Sequence, residues 1–158
     1  LVPVGLGARD TLRLEKGYLL SGQDFLWPGL GTEPDAALPD GFLARDSAET
    51  AVPYGLDIEH DFVGRERVLA SLESGLRWGG LICLERGPSP RPGHAVLSSE
   101  ADDAKPLGYV TSGGPSPSLE RKGIAMAYLE GAEQGQEVWI QASPRRRVRA
   151  QVCRPPFV

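Results

Sequence analysis

The chain has 158 residues, a formal net charge of −4 and 41% hydrophobic residues. This acidic balance gives no electrostatic reason to expect binding to nucleic acid or to an anionic membrane. No apolar stretch approaches the roughly 20 residues needed to cross a bilayer, and the first residues do not have the basic-then-apolar pattern of a secretory leader. We therefore expect a cytoplasmic location, with no nucleic-acid or membrane partner.

The first part of the chain predicts two helices separated by a long irregular stretch. Residues 5–16 have the apolar spacing of a short helix, and Gly17 can adopt the left-handed conformation that often ends one. Residues 27–53 contain several prolines and glycines, which indicates a functional, inserted or mobile loop. A second helix is predicted over about 64–74. The side chains expected to pack from the two helices are Leu6, Leu12, Leu14, Val68, Leu69 and Leu72.

From about residue 77 the pattern changes to short apolar runs separated by turn residues. The chain has 20 glycines and 14 prolines, which favour many short elements joined by turns. Six strands are predicted, at 81–84, 94–97, 107–110, 124–128, 137–140 and 148–152. Six strands can close a small antiparallel barrel. We therefore predict an α+β fold, with an incomplete α/β segment over 1–76 and a six-stranded antiparallel β-barrel or jelly-roll-like domain over 77–158.

The cysteines and histidines do not have the spacing of a metal site. Cys83 and Cys153 lie in separate apolar runs, and no Cys-x-x-Cys pair is present. We expect two buried, reduced thiols, with a disulfide between neighbouring strands as the alternative. His60 and His94 are far apart in the sequence and have no cluster of further ligands around them, so no metal is predicted.

Four segments, taken together and in order, carry a family resemblance. They read GLGARDTLRLE at 5–15, YLLSGQD at 18–24, DFVGRE at 61–66 and GYVTSGGPSPSL at 108–119. The ending RPPFV at 154–158 is compatible with the same pattern. With these motifs the chain resembles the C-terminal half of the glycine-cleavage T-protein, or aminomethyltransferase, family. The resemblance covers nearly all of this chain and about half the length of a family member.

The resemblance implies a tetrahydrofolate-dependent transferase of one-carbon metabolism. In that reaction, a lipoyl-protein arm carries an aminomethyl group whose methylene passes to tetrahydrofolate, and ammonia is released. The family's catalytic Asp belongs to the N-terminal half, so no residue of this chain is assigned a catalytic role. The implied partners are that N-terminal half and a lipoyl carrier protein. We expect the chain alone to be inactive and to bind tetrahydrofolate only together with the other half.

Two residues of the first motifs match positions that line the family's folate site. Arg9 matches a folate-contacting arginine, and a guanidinium can hold a folate carboxylate through two parallel hydrogen bonds. Its alternative is an ion pair with Asp10 or Glu15 on the helix surface. Tyr18 matches a position beside the folate, where its ring could lie along the pterin or benzoyl group. Its alternative is a partly buried core tyrosine.

Three further polar groups have structural interpretations. Asp10, Arg13 and Glu15 are expected to form an ion-pair network that orients the helix. Residues 111–113 and 116–117 predict a polar β-turn between strands, from which donors could approach a ligand or another domain. The basic run 145–147 predicts a solvated hairpin tip, with docking of an acidic carrier protein as the alternative.

Residues 25–53 depart from the family pattern, because the link there is longer than usual. This departure leaves other functions open. The chain could be the folate-binding module of a demethylating oxidase of the sarcosine or dimethylglycine type. It could also be a non-catalytic relative, either of the iron–sulfur or tRNA-modification type, whose Cys-containing motif is missing here, or a stand-alone interaction module.

Overall fold

The computed structural model describes residues 2–26, 37–50 and 56–158. The predicted irregular stretch therefore lies partly outside the described residues, at 27–36 and 51–53. Two helices, α1 (Leu6–Lys16) and α2 (Arg65–Glu73), precede six strands. The strands are β1 (Leu76–Cys83), β2 (Ala95–Leu97), β3 (Pro106–Ser116), β4 (Lys122–Glu130), β5 (Glu137–Ser143) and β6 (Arg146–Cys153), with a short 3₁₀ helix (Pro117–Leu119) between β3 and β4.

The six strands form a closed antiparallel barrel in the order β1-β4-β3-β2-β5-β6. This confirms the predicted fold class. Five of the strands are longer than the apolar runs indicated, because polar and glycine positions continue the pairing at their ends, whereas β2 is one residue shorter than its predicted run. The largest difference concerns β3, which runs through 111–116 and pairs with β4 up to Ser116 opposite Lys122. The predicted polar turn at 111–113 is therefore wrong.

The barrel has an apolar interior. Alternate residues of each strand point inward, as the two-residue period of a strand requires. The interior side chains are Leu81, Cys83, Val96, Val110, Ala125, Ala127, Leu129, Val138, Ile140, Val148, Ala150 and Val152. Cys83 and Cys153 form no disulfide in the structure; Cys83 is buried as predicted, whereas Cys153 is only partly buried. Burial raises the pKa of each thiol to about 11.

A second, smaller core lies on the outside of the barrel, where α1 covers β3 and β4. Leu14 of α1 and Phe157 of the C-terminal segment pack there on the outward-facing Ile124 and Met126 of β4. The backbone N–H of Phe157 donates to the carbonyl of Glu15 at 2.9 Å, which ties the end of the chain to α1. The outer core therefore fixes α1 on the barrel wall.

The expected packing of α1 is only partly right. Leu14 is buried, but the side chains of Leu6 and Leu12 are 80% and 67% exposed. The helix buries Glu15 in their place, because polar groups of β3 face it. Gly17 ends the helix as predicted, with φ of 76° and its N–H bonded to the carbonyls of Arg13 and Leu14.

Candidate functional site

The two candidate folate residues both lie on α1 or directly after it, and both side chains are exposed. Arg9 lies on the same outward side of the helix as Leu12. Tyr18 follows the Gly17 turn and is 63% exposed, which does not fit the alternative interpretation of a partly buried core tyrosine. Its ring has no hydrogen bond or aromatic contact among the described residues. The two side chains are thus available to a ligand or a partner on this side of the barrel.

The Arg9 guanidinium has no ion pair within the part of the chain that the structure describes. Its two sequence neighbours that could pair with it are engaged elsewhere. Asp10 pairs with Arg13 at 2.7 Å, as predicted. Glu15, which was expected in the same ion-pair network, instead accepts hydrogen bonds from Ser116 and Ser118. The helix-surface alternative for Arg9 therefore lacks an available acid.

Beneath this exposed face, Asp24 is fully buried and bonded on both carboxylate oxygens. Oδ2 accepts from the Arg13 guanidinium at 2.6 Å and from the Leu20 N–H at 2.9 Å. Oδ1 accepts from the hydroxyls of Thr111 and Ser112, each at 2.6 Å. A buried charge is tolerated when it is paired and fully hydrogen-bonded, and Asp24 meets both conditions.

A β-bulge in β3 makes this arrangement possible. Successive strand residues normally point to opposite faces, yet the hydroxyls of Thr111 and Ser112 both reach Asp24. The register between β3 and β4 shifts between Val110 and Ser112, so Thr111 is the extra residue. Bulges commonly re-aim a side chain in this way. The Ser112 hydroxyl also accepts from Arg13 at 2.9 Å and from Gln23 at 3.0 Å.

Glu15 forms the second attachment of α1 to β3. Its carboxylate accepts from the Ser116 hydroxyl, from the Ser118 N–H at 3.0 Å and from the Ser118 hydroxyl at 3.1 Å. The hydrogen bond from Ser116 is the main cause that lowers the pKa of Glu15 from its ordinary value. We call the whole polar contact the α1–β3 seam, which consists of Arg13, Glu15, Asp24, Thr111, Ser112 and Ser116.

Sequence reasoning missed the roles of Asp24, Thr111 and Ser112. Asp24 stands at the end of the 18–24 motif, and nothing in the local sequence indicates that its carboxylate is buried. The signal that could have found it is a motif Arg in the last turn of α1 together with a motif Asp in the segment that follows the helix. Thr111 and Ser112 were predicted to lie in a turn because they are polar and precede two glycines.

A second polar contact covers β4 further along the barrel wall. Arg45 pairs with Glu49 at 2.8 Å, and its guanidinium lies over the rings of Phe42 and Tyr128. Tyr128 is fully buried, and this burial raises the pKa of its hydroxyl. Segment 42–49 is therefore fixed to the same wall as α1, which places both on one side of the barrel.

The remaining predictions concern the basic run 145–147, metal binding and membrane spans. The run 145–147 lies at the tip of the β5–β6 hairpin, where Arg145 and Arg146 are exposed. Arg147 is engaged with Glu100, Asp102 and Gln141. Within the described ranges there is no group of His, Cys, Asp or Glu residues that could hold a metal ion. The described helices are also too short or too polar to cross a membrane.

The fold and the site together define an α+β barrel domain that carries, on its outer wall, a helix with an exposed arginine and an exposed tyrosine. The sequence profile of the family described as "Glycine cleavage T-protein C-terminal barrel domain" matches residues 78–158. The chain belongs to this glycine cleavage T-protein family.

Longer relatives support the same assignment. The aminomethyltransferase of Staphylococcus carnosus is 40% identical over 98% of this chain, and a probable aminomethyltransferase of Halobacterium salinarum is 34% identical over 99%. The crystal structure of glycine cleavage system aminomethyltransferase T from Bartonella henselae superposes with a TM-score of 0.68 at 30% identity over 98% of the chain. The chain spans 38% of the length of the two sequence relatives and 39% of the Bartonella chain.

Proposed function

We propose that this chain is the barrel-containing part of a tetrahydrofolate-dependent aminomethyltransferase and supplies Arg9 and Tyr18 to the folate site. The observation that carries the proposal is the state of Arg9. Its guanidinium is exposed on a helix that is fixed to the barrel, and its two predicted acidic partners, Asp10 and Glu15, are bonded to other groups. Among the described residues no ion pair of this guanidinium has to break before it receives a carboxylate.

Both residues fit the chemistry of folate. The glutamate end of folate offers carboxylates, which the planar fork of Arg9 can bind in a bidentate manner. The pterin and benzoyl groups are flat, and the exposed ring of Tyr18 can lie against one of them while its hydroxyl remains free to hydrogen-bond. When bound, tetrahydrofolate is the acceptor of the one-carbon unit, and this chain's residues bind and orient it.

The proposal assigns the rest of the site to a separate length of polypeptide. Relatives contain more than twice the length that this chain spans, and we expect their additional part to provide the remaining walls and the catalytic acid. The exposed apolar side chains of Leu6 and Leu12, next to Arg9, are suited to contact that part. For experiments, we call the part of the Staphylococcus carnosus aminomethyltransferase outside its match to this chain the complementary segment.

The proposal also includes a partner protein and a cellular location. An acidic lipoyl carrier protein could use the exposed Arg145 and Arg146 at the β5–β6 hairpin tip. A cytoplasmic location is supported by the free thiols Cys83 and Cys153, which are typical of a reducing compartment. The relatives described above are named aminomethyltransferases, which favours this function over the folate-binding module of a demethylating oxidase.

Calorimetric titration with tetrahydrofolate tests the proposal. The chain alone should show no micromolar binding, and the mixture with the complementary segment should bind. In the mixture, Arg9→Ala should weaken binding about tenfold to a hundredfold, because a charge-assisted pair of hydrogen bonds is lost. Lys16→Ala, which removes another exposed cation from α1, is the matched control and should leave the affinity unchanged. Equal affinity of the Arg9→Ala and unchanged proteins would refute the assignment.

A further inference from the structure

We propose that the buried Arg13–Asp24 pair is a clamp that positions Tyr18, and that the β-bulge at Val110–Ser112 exists in this fold to complete the clamp. The inference rests on the proposed function, because it deepens the role of Tyr18 in the folate site. Arg13 and Asp24 are positioning residues here, since the Asp24 side chain is fully buried, the Arg13 side chain is only 10% exposed, and neither needs to contact a ligand.

The clamp holds both ends of the segment that carries Tyr18. At the first end, an Arg13 N–H donates to the Tyr18 carbonyl at 3.3 Å, and the Tyr18 N–H donates to the Arg13 carbonyl at 2.8 Å. At the second end, the Leu20 N–H donates to Asp24 Oδ2 at 2.9 Å, and the Asp24 N–H donates back to the Leu20 carbonyl at 2.8 Å. The Tyr18 backbone is therefore fixed through the same two charged side chains that pair with each other.

The barrel supplies the fixed point of the clamp. Asp24 Oδ1 takes hydrogen bonds from two successive residues of β3, which only the bulge allows, and Ser112 in turn accepts from Arg13. Arg13, Asp24 and Ser112 thus form a closed ring of three mutual contacts. Because β3 is hydrogen-bonded to β2 on one side and to β4 on the other, this ring ties the Tyr18 segment to a strand that is held from both sides.

The state of the Tyr18 ring shows why such a device is needed. The side chain is 63% exposed, and among the described residues the ring has no hydrogen bond or aromatic contact that would set its position. A side chain that must meet a flat ligand loses less conformational entropy on binding when its backbone is already ordered. A ring of mutually hydrogen-bonded polar groups has few geometries in which every group is satisfied, whereas an apolar contact tolerates several.

The chain offers a matched pair of variants for the test. Asp24→Asn alters the clamp, whereas Glu15→Gln alters the other buried carboxylate of the α1–β3 seam without touching the Tyr18 segment. Two readouts follow the clamp directly: hydrogen exchange of the Leu20 amide, and the ¹⁹F signal of fluorotyrosine at Tyr18. The chain has four tyrosines, so loss of one signal in Tyr18→Phe assigns it.

Asp24→Asn should accelerate exchange of the Leu20 amide about tenfold and shift the Tyr18 signal, because the charged acceptor is lost. Glu15→Gln should leave both unchanged, even where the two variants lose similar thermal stability. Unchanged Leu20 exchange in Asp24→Asn, or equal changes in the two variants, overturns the proposal. If Asp24→Asn does not fold, Ser112→Ala replaces it under the same criteria.

A double-mutant cycle separates the clamp from the folate assignment. With the complementary segment present, Asp24→Asn should weaken tetrahydrofolate binding, and it should have no further effect once Tyr18→Ala is in place. Additive losses overturn the positioning role. If Tyr18→Ala itself leaves the affinity unchanged, the proposed function of Tyr18 fails, while the exchange and ¹⁹F results still decide whether the clamp fixes the segment.

Discussion

The barrel interior and the α1–β3 seam lie on opposite faces of the same wall, and they are held together by different forces. The interior consists of aliphatic side chains and one thiol, whose burial is non-directional. The seam contains two buried carboxylates, a nearly buried guanidinium and three buried hydroxyls, each with specific partners. The first region therefore depends on volume, and the second depends on hydrogen-bond geometry.

This difference explains how one wall can serve two purposes. An apolar interior tolerates substitutions that keep its volume, so it provides stability with little demand on any one residue. A polar seam has few geometries in which every group is satisfied, so it fixes the orientation of α1 and of the segment after it. The seam accordingly holds α1 on the barrel through Glu15 and holds the Tyr18 segment through the Arg13–Asp24 pair, and the barrel is the support.

The largest effect is expected from removing the Asp24 carboxylate at the centre of the seam. Asp24→Ala leaves the Arg13 guanidinium buried and without its main partner, and we expect a loss of about 3–5 kcal/mol in the free energy of unfolding. Asp10→Ala removes the other carboxylate that pairs with Arg13, but this one is half exposed and should cost less than about 1 kcal/mol. Urea denaturation of both variants measures the difference. Similar losses would mean that the seam is not dominated by the buried pair.

The next effect tests the barrel interior. Leu81→Ala opens a cavity at a fully buried position, and we expect it to cost about 2–5 kcal/mol. Leu81→Met keeps most of the volume and should cost less than about 1.5 kcal/mol. The same urea titrations measure both. If Leu81→Met lowered the free energy of unfolding as much as Leu81→Ala, the interior would not depend on volume, and the comparison between the two regions would be wrong.

The barrel was predictable from the sequence, and the seam was not, for the same physical reason. Strands reveal themselves through local apolar runs, so the runs around Leu81 and Ile124 indicated their strands directly. The seam depends on contacts between residues far apart in the sequence, such as Asp24 with Thr111. The polar run 111–113 reads locally as a turn, because it is the distant carboxylate of Asp24 that satisfies the hydroxyls of Thr111 and Ser112 within the strand.

Helix α1 was misread in a related way. Periodicity assigned its apolar residues to the buried face, yet Leu6 and Leu12 are exposed, and the buried face carries Glu15. An amphipathic pattern identifies the packed face only when the packing surface is apolar. The outer wall of β3 presents hydroxyls, so it selects polar residues from the helix. The exposed leucines fit the proposal that this face meets another length of polypeptide.

Acid should weaken the seam before it affects the interior. Hydrogen bonds lower the folded-state pKa of Glu15 below its ordinary 4.5, so the unfolded chain binds the proton more tightly. The contribution of Glu15 is fully present above pH 4.5 and is lost as the pH falls below that value towards the folded-state pKa. Glu15→Gln should cost about 1–3 kcal/mol at pH 7. In urea titrations from pH 7 to 3, the gap between this variant and the unchanged chain should narrow below pH 4.5. A constant gap would contradict the role of the charge.

The smallest expected effect concerns the turn that connects β3 to β4, next to the seam. After β3 and the 3₁₀ helix, Glu120 and Arg121 both adopt left-handed backbone conformations, with φ of 53° and 62°. Such a conformation costs a non-glycine residue about 1–2 kcal/mol, whereas glycine adopts it freely but loses more entropy on folding. Glu120→Gly should therefore stabilise the chain by about 0.5 kcal/mol, seen as a small rise in melting temperature.

Glu130 provides the control for this turn, because it is also exposed but lies at the end of β4 outside the set of left-handed residues. Glu130→Gly should destabilise by about 0.5–1 kcal/mol, since glycine there only adds entropy to the unfolded chain. Stabilisation by Glu120→Gly together with destabilisation by Glu130→Gly would show that backbone strain is stored at the turn beside the seam. Destabilisation of both variants would contradict this prediction. It would mean that the Glu120 side chain stabilises the turn, in addition to the hydrogen bond from the Arg121 N–H to the Ser116 carbonyl.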